Sequence, residues 1–248
     1  MITVELMSKL FPVPRGLPAS RTLASPSART LLVAEMNRFF PQYGIDTQLR
    51  VCGFLGCTGK ETDGYLTTQE YGNVAYFTRM YETRRAKAQE LGNTQPGDGA
   101  RFRGRGLMQT TGRYNYSELN RVVGRALRVD VVRNPELLCE IPLAVQSACV
   151  YWQSADLNQY ADASEWMRLN GRVNRGDPAR RPLHWPERLA YTEAALREIP
   201  ADFAFERPAP SSVVGATGRV RLGAAAAAAG SVRLGPREGG GRGSTGSW

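Results

Sequence analysis

The sequence is poor in the residues that bind metals. It has a single histidine, His184, and four cysteines, Cys52, Cys57, Cys139 and Cys149, among 248 residues. The cysteines are spaced too widely and irregularly for a zinc ribbon, so neither a metal site nor any other cofactor is expected. Three of them, Cys52, Cys57 and Cys149, fall in apolar helical patterns, where free cysteine is commonly buried. Unpaired thiols in a reducing compartment are the simplest expectation.

Long hydrophobic runs are also lacking. No segment approaches the roughly 20 apolar residues that a membrane-spanning helix needs. The first residues, "MITVELMSKLFPVPRGL", carry acidic Glu5 within their apolar part and have no basic lead, which is a poor match to a signal peptide. We therefore expect no membrane span, and a protein that stays cytoplasmic until it is released to its site of action.

No sustained alternation of polar and apolar residues is present, so any sheet is expected to be small. Helical periodicity is frequent instead, with a capping start at Ser25 to Ser27 and another N-cap candidate at Asp46. Pro186 suits the first turn of a helix. The predicted helices cover residues 27–40, 46–64, 112–124, 141–155, 163–171 and 186–199. These patterns predict a mainly α-helical fold with at most a small β element.

The balance of charge and hydrophobicity limits the class of protein. A hydrophobic fraction of 42% is ample for a buried core, and the net charge is +9. Such a charge suits nucleic acid, an anionic cell-wall polymer or a membrane surface equally well. Composition alone therefore leaves the partner open.

The composition changes abruptly after Ile199. Residues 200–248 are rich in glycine, alanine, arginine and serine and contain the near-repeats "GRVRLG" and "GSVRLG". Such a segment buries too little apolar surface to offset its conformational entropy. It is therefore predicted to be a disordered low-complexity tail.

The stretch from Leu91 to Tyr116, "LGNTQPGDGARFRGRGLMQTTGRYNY", combines glycines and arginines. It has no lysine followed by Ser or Thr after its glycines, which excludes a P-loop. Nucleic-acid binding through its arginines and interleaved aromatics stays open. So does a structural role in which Arg103, Arg105 and Arg113 pair with Asp98 or with backbone carbonyls.

Two carboxylates precede this stretch. Glu61 lies near the carboxyl end of a largely apolar predicted helix, and Glu70 follows nine residues later, with Asp63 between them. Hydrolysis of a glycosidic bond needs one carboxylic acid to protonate the leaving oxygen and a second carboxylate to activate water or to attack. A sugar cleft is therefore a further alternative for the central stretch.

Four motifs carry a resemblance to a known family: "KETDGY" at Lys60, "QEYG" at Gln69, the long stretch at Leu91 and "RLNG" at Arg168. Together they resemble glycoside hydrolase family 19, most closely its phage and prophage endolysin branch. The resemblance covers roughly residues 28–199. It implies a lysozyme-like, two-lobed helical domain with a central substrate cleft at 28–199, an N-terminal lead-in at 1–27 and the tail at 200–248.

The resemblance also implies roles for individual residues. Glu61 matches the general acid, and Glu70 matches the general base of an inverting reaction on a β-1,4-linked amino-sugar polymer. The implied substrate-binding residues are Gln109, Thr111, Asn115, Tyr116 and Asn170, of which Thr111 helps to hold the catalytic water. Helix capping by Asn115 or Asn170, and helix packing by Tyr116, are the structural alternatives.

One residue departs from the family pattern. Lys60 stands before Glu61, where the family usually has histidine. Its ammonium would favour ionised Glu61 unless the two side chains point apart, as neighbouring helical positions normally do. An acid needs a raised pKa, so we expect a desolvated Glu61 and a more solvated, ionised Glu70.

The expected function is that of an endolysin that hydrolyses bacterial peptidoglycan after release through a holin-made pore, with chitin as the alternative substrate. A catalytically impaired protein that binds cell wall or nucleic acid is the alternative from a different class. The expected partner is an amino-sugar polymer, with no specific nucleic acid, and the chain is expected to be a monomer.

Overall fold

A computed structural model describes residues 1–18, 21–82, 84–124 and 128–206. In this part of the chain, short loops connect helices of 4 to 14 residues. The helices are α1 (Val4–Leu10), α2 (Pro26–Phe39), α3 (Gln48–Glu61), α4 (Val74–Tyr81), α5 (Arg85–Leu91), α6 (Asp98–Arg101), α7 (Arg113–Leu119), α8 (Ile141–Ser154), α9 (Asn158–Asp162), α10 (Trp166–Arg175) and α11 (Trp185–Glu198). The mainly helical prediction is confirmed.

The predicted helices correspond to α2, α3, α7, α8, α10 and α11, with ends displaced by a few residues. Ser25 caps α2 by accepting a hydrogen bond from the amide of Ala28. The N-cap prediction at Asp46 was wrong, because Thr47 occupies that position and accepts from the amide of Arg50. The Asp46 carboxylate instead pairs with the Arg50 side chain, at 2.9 Å.

The largest hydrophobic cluster is built around α3, whose residues from Val51 to Gly59 are all buried. α11 packs along α3, and α2 packs on α8. Phe40, Phe54 and Trp152 fill the centre of this cluster with edge-on and tilted ring contacts. Glu61 therefore ends a helix that is enclosed on most sides.

Two smaller hydrophobic clusters lie beside the largest one. One contains Phe102, Tyr116 and Leu138, and the other contains Phe77, Tyr81 and Leu91. α8 connects the first of these to the largest cluster, because it contributes buried side chains to both. Separate clusters of this kind fit a two-lobed domain.

The described part of the chain has only isolated β-bridges rather than extended strands. Gln69 pairs with Arg105, and Arg105 pairs with Thr110. These two bridges bring the segment that carries Glu70 beside the central glycine-rich stretch. A third bridge joins Thr47 to Ala204. The predicted small β element therefore consists of isolated bridges, and the bridge between Gln69 and Arg105 lies next to Glu70.

Both ends of the described chain belong to the same packed body. Met7 and Phe11, from the predicted lead-in at 1–27, are buried in the largest cluster. Phe203 and Phe205 pack against that cluster, and the amide of Phe205 bonds to the carbonyl of Asp46 at 2.9 Å. Phe203 and Phe205, which the prediction assigned to the tail at 200–248, therefore pack against the helical body. The remainder of the predicted disordered tail, 207–248, lies outside the described residues.

The described residues contain no helix that is both long and apolar enough to cross a membrane. Among the same residues, no group of three or more histidine, cysteine or acidic side chains is placed to hold a metal ion. All four cysteines are unpaired, and Cys52, Cys57 and Cys149 are buried, as their helical context predicts.

Candidate active site

Glu61 forms a buried ion pair with an arginine from a distant part of the sequence. The Nη2 of Arg188 on α11 donates to Glu61 Oε1 at 2.5 Å, and the two side chains are 3% and 2% exposed. Burial has the largest single effect on the pKa of the Arg188 guanidinium and lowers it, but the charges of Glu61 and Cys57 and the hydrogen bond to Glu61 together outweigh burial, so the pKa is raised. The pair holds the Glu61 carboxylate in a fixed orientation at the end of α3.

Further groups fix the arginine. Its Nε donates to the carbonyl of Leu183 at 2.9 Å, and its Nη1 lies 3.4 Å from Asn170 Oδ1. The Asn170 amide donates in turn to the carbonyl of Trp166, and its side chain is fully buried. In this structure Asn170 therefore supports the partner of Glu61 and exposes no surface of its own.

Glu70 lies in the segment between α3 and α4, and groups from two other segments hold it. Tyr81 on α4 donates its hydroxyl to Glu70 Oε1 at 2.6 Å, and the Gly104 amide donates to Oε2 at 3.0 Å. The Glu70 amide bonds back to the carbonyl of Gly104. Burial raises the pKa of the Glu70 carboxyl, and these two hydrogen bonds with the charges of Arg103 and Arg105 offset part of the rise.

The environments of the two carboxylates differ from the sequence-based expectation. Glu61 is buried, as expected, but it also has a buried cationic partner that the sequence did not indicate. Glu70, expected to be the more solvated, is half-buried and has the raised pKa. The position of a residue at a helix end or in a loop indicates its solvent exposure only with respect to its sequence neighbours. Here α11 and the glycine-rich stretch, which are distant in the sequence, cover both carboxyl groups.

A cluster of polar atoms surrounds Gly104. A Cβ atom at this position would lie 2.7 Å from Gln109 Oε1, 3.1 Å from Glu70 Oε2 and 3.2 Å from Thr111 Oγ1. Any larger residue would therefore collide with these groups. The glycine lets the Glu70 carboxylate, an amide oxygen and a hydroxyl share one small volume.

Gln109 and Thr111 lie in a tight turn of the backbone. Gln109 has a φ of 50°, in the left-handed region, and its Nε2 donates to the carbonyl of Gly106. The Thr111 hydroxyl donates to the carbonyl of Gln109 at 2.8 Å, so its lone pairs are directed elsewhere. The structure thus brings two of the predicted binding residues beside Glu70.

Asn115 and Tyr116 lie on α7, behind this turn. The Asn115 amide donates to the carbonyl of Thr111 at 2.8 Å. Tyr116 is fully buried, and its hydroxyl donates to the carbonyl of Arg103 and accepts from Arg105 Nη1. Tyr116 therefore packs and braces the glycine-rich stretch, which is the structural alternative stated for it.

The arginines of the central stretch also have structural partners. Arg113 binds both carboxylate oxygens of Asp98, at 2.5 and 2.8 Å. Arg105 is fully buried and binds Glu136 together with the carbonyl of Arg101. These contacts confirm the structural alternative for Arg105 and Arg113, and they leave few charges on this stretch for nucleic acid.

Lys60 has no ion pair with Glu61. Its charge acts on Glu187, whose carboxyl pKa is lowered first by a backbone amide and then by Lys60 and His184. The cation that matters to Glu61 is Arg188.

Arg188 and Tyr81 are the two site residues that sequence reasoning missed. A signal for Arg188 existed, because it lies on the same helical face as Thr192 and Ala195, and a charged residue on a buried face needs a partner. Tyr81 carried no comparable signal. Its contact with Glu70 depends on how α4 folds back over the segment that precedes it.

Comparison with known proteins is consistent with this architecture. The model of the chitinase class I family, glycoside hydrolase family 19, matches residues 34–171. A glycosyl hydrolase family 19 domain-containing protein of Haemophilus influenzae is 28% identical over 188 residues, which cover 58% of this chain and 90% of that protein. Basic endochitinase B of Arabidopsis thaliana is 33% identical over 125 residues, 47% of this chain but 36% of that protein.

The fold has solved counterparts. Chitinase C from Streptomyces griseus superposes with a TM-score of 0.52 and 18% identity, covering 79% of this chain and 92% of that one. This likeness shows a common fold. Because the family match spans more than half of the sequence, the chain belongs to glycoside hydrolase family 19 and is a glycoside hydrolase.

Proposed function

We propose that this glycoside hydrolase cleaves β-1,4 bonds in the glycan strands of bacterial peptidoglycan, as an endolysin, with inversion at the anomeric carbon. The observation that carries the proposal is the pair of firmly held carboxylates with different partners. Glu61 is anchored to Arg188 on the side of the largest cluster, and Glu70 is anchored to Tyr81 and Gly104 on the other side. A sugar bound between them would meet one carboxyl group on each face.

In this proposal Glu61 is the general acid. Arg188 occupies Oε1, which leaves the second oxygen to carry the proton that passes to the glycosidic oxygen. Asn170 serves by fixing Arg188 rather than by meeting the sugar directly.

Glu70 is the general base. Its carboxylate shares the volume beside Gly104 with Thr111 Oγ1 and Gln109 Oε1. A water there would donate to the Glu70 carboxylate and to the free lone pair of the Thr111 hydroxyl, which would aim its oxygen at the sugar. Gln109 and Asn115 complete this wall, and Tyr116 braces it from behind.

The arginines on α10 and the loop after it support an acidic substrate. Arg172, Arg175, Arg180 and Arg181 form no ion pair with any other described residue. The loop that carries Arg180 packs against α10: the carbonyl of Arg180 lies 2.5 Å from the Cβ position of Gly171, the neighbour of Asn170. Peptidoglycan carries carboxylates on its stem peptides, whereas chitin is neutral, so this charge favours the former.

Chitin is the second candidate, because the Arabidopsis relative is named a basic endochitinase. The two substrates share the β-1,4 amino-sugar backbone, so the same carboxylates would serve both. The proposal also implies that the enzyme acts as a monomer and stays in the cytoplasm until a pore releases it to the wall.

The substrate test compares purified wild type and Glu61→Gln on peptidoglycan sacculi and on chitin oligomers, with new reducing ends as the readout. We expect wild type to cleave peptidoglycan faster at low salt and to lose that advantage as salt rises, because cationic attraction is screened. Glu61→Gln should lose activity on both. Faster, salt-independent cleavage of chitin would overturn the peptidoglycan assignment.

The same variants test the two roles on an aryl glycoside whose leaving group needs no proton. Glu61→Gln should retain far more activity on this compound than on the natural substrate, because only the acid has become dispensable. Glu70→Gln should lose activity on both compounds alike, since water activation is still required. The reverse pattern would exchange the two roles.

A further inference from the structure

The turn that follows α3 is built from an unfavourable backbone. Asp63, Gly64 and Tyr65 all have left-handed φ values, 56°, 73° and 57°. Only glycine adopts this conformation without cost, so two of the three residues depend on outside support. The turn separates Glu61 from Glu70, and its shape sets where Glu70 lies.

A side chain from outside the turn joins its two ends. The Arg21 Cζ lies over the ring of Tyr71, 3.7 Å from the ring centroid, and the Arg21 Nη2 is 3.8 Å from Asp63 Oδ2. The Tyr71 hydroxyl donates to the same Asp63 oxygen at 3.2 Å. Asp63 is two residues after Glu61, and Tyr71 immediately follows Glu70.

Neighbours of Arg21 dock on the same turn. Leu23 is fully buried, and its amide donates to the carbonyl of Leu66 at 3.0 Å. Arg29 Nη2 reaches the carbonyl of Tyr65 at 3.5 Å. These contacts come from residues before position 34, where the family match begins. They therefore belong to the part of the chain that the family model does not cover.

We propose that Arg21 is a positioning residue that fixes Glu70 relative to Glu61 by clamping Tyr71 against Asp63. The proposal rests on the catalytic roles assigned to Glu61 and Glu70. Stacking on the ring and attraction to the carboxylate act together, as a planar guanidinium allows. The Nε of Arg21 is buried without a hydrogen-bond partner, a cost that these two contacts offset.

The first test compares Arg21→Met with Arg15→Met, an exposed arginine of the same segment. Arg21→Met should lower kcat by about tenfold to a hundredfold per folded molecule, because a displacement of about 1 Å has that effect on a catalytic group. KM should change little. Arg21→Lys should recover only part of the loss, because an ammonium keeps the charge that attracts Asp63 but lacks the planar group that covers the Tyr71 ring.

The pH profile separates positioning from a general loss of stability. Burial raises the pKa of Glu70, so a loosened turn that hydrates this carboxyl should lower it. The acidic limb of kcat/KM in Arg21→Met should therefore move to lower pH. A variant that is merely less stable would keep the wild-type profile in its folded fraction.

A double-mutant cycle with Tyr71→Leu tests whether the two residues act through one contact. If they do, the double variant loses no more activity than either single variant. Losses that multiply, or an Arg21→Met variant indistinguishable from Arg15→Met, would overturn the clamp while wild type still hydrolyses substrate. A wild type no more active than Glu61→Gln would instead refute the proposed function itself.

Discussion

At the residue scale, Glu61 and Glu70 are chemically identical carboxyl groups with different proposed roles, and their neighbours differ accordingly. Glu61 faces the full positive charge of the buried Arg188 guanidinium. Glu70 faces neutral donors, a phenol and a backbone amide, in a position where burial dominates. The proposed base thus has a raised pKa, which makes it a stronger proton acceptor but means that it ionises only at higher pH.

Tyr81→Phe tests this balance at Glu70. The phenol hydrogen bond lowers the pKa of Glu70, so its loss should raise that pKa further. A base with a higher pKa is protonated over more of the acidic range. The acidic limb of kcat/KM should therefore move to higher pH, opposite in direction to the shift expected for Arg21→Met.

Tyr114→Phe is the matched control, because Tyr114 is a 43% exposed residue of α7. Its pH profile should coincide with that of wild type. If Tyr81→Phe also leaves the acidic limb in place, then either the hydrogen bond does not tune Glu70 or another group limits the reaction at low pH.

At the element scale, the sequence predicts the helices of the site but not how they pair. The apolar patterns of α3 and α11 and the cap at Ser25 follow from local rules. That α11 lies against α3, and so delivers Arg188 to Glu61, is a contact across 127 positions that no local pattern encodes. Both carboxylates and the turn at Gln109 were instead singled out by the family resemblance, because a long motif identifies candidate site residues that helical periodicity does not.

Gly56→Ala tests the pairing of these helices. A Cβ at Gly56 would lie 2.0 Å from Thr192 Oγ1 and 2.9 Å from the Thr192 amide nitrogen, so α3 and α11 would have to separate. We expect a loss of about 1–3 kcal/mol in the free energy of unfolding. Arg188 lies one turn before Thr192 on α11, so the ion pair with Glu61 should lengthen and kcat should fall.

Unfolding by denaturant and steady-state kinetics measure the two effects. Adding Thr192→Ala to Gly56→Ala removes the hydroxyl that causes the shortest contact, and it should restore part of both losses. If Gly56→Ala is as stable and active as wild type, the close approach of the two helices is not needed to hold the site.

At the scale of the whole molecule, the packed body extends beyond the resemblance at both ends. The resemblance covered 28–199, yet Ile2 exchanges two 2.8 Å hydrogen bonds with Asn37, and Phe203 and Phe205 pack on the largest cluster. Composition did not indicate the extension at the carboxyl-terminal end, because Phe203 and Phe205 are only two aromatic residues before a long glycine-rich and alanine-rich sequence. The two phenylalanines pack because α3 and the loop before it bond to their backbone, at Gln48 and Asp46, a contact that composition does not reveal.

Two truncations locate the carboxyl-terminal boundary. A chain ending at residue 199 loses both phenylalanines and the bonds from the Phe205 amide to Asp46 and from the Gln48 amide to Phe203. It should lose about 2–4 kcal/mol in the free energy of unfolding, the value of two partly buried aromatic side chains with their backbone bonds. A chain ending at 206 should unfold like the full-length protein, because the composition of 207–248 offers little apolar surface to bury.

Replacing both phenylalanines with alanine in the chain that ends at 206 is the control, since it removes the rings and keeps the backbone. Its stability should fall between those of the two truncations. The contacts reach Gln48 at the start of α3, 13 residues before Glu61, so we expect stability to change with little effect on kcat at temperatures where all variants are folded. Equal stability of the chains ending at 199 and at 206 would restore the boundary predicted from composition.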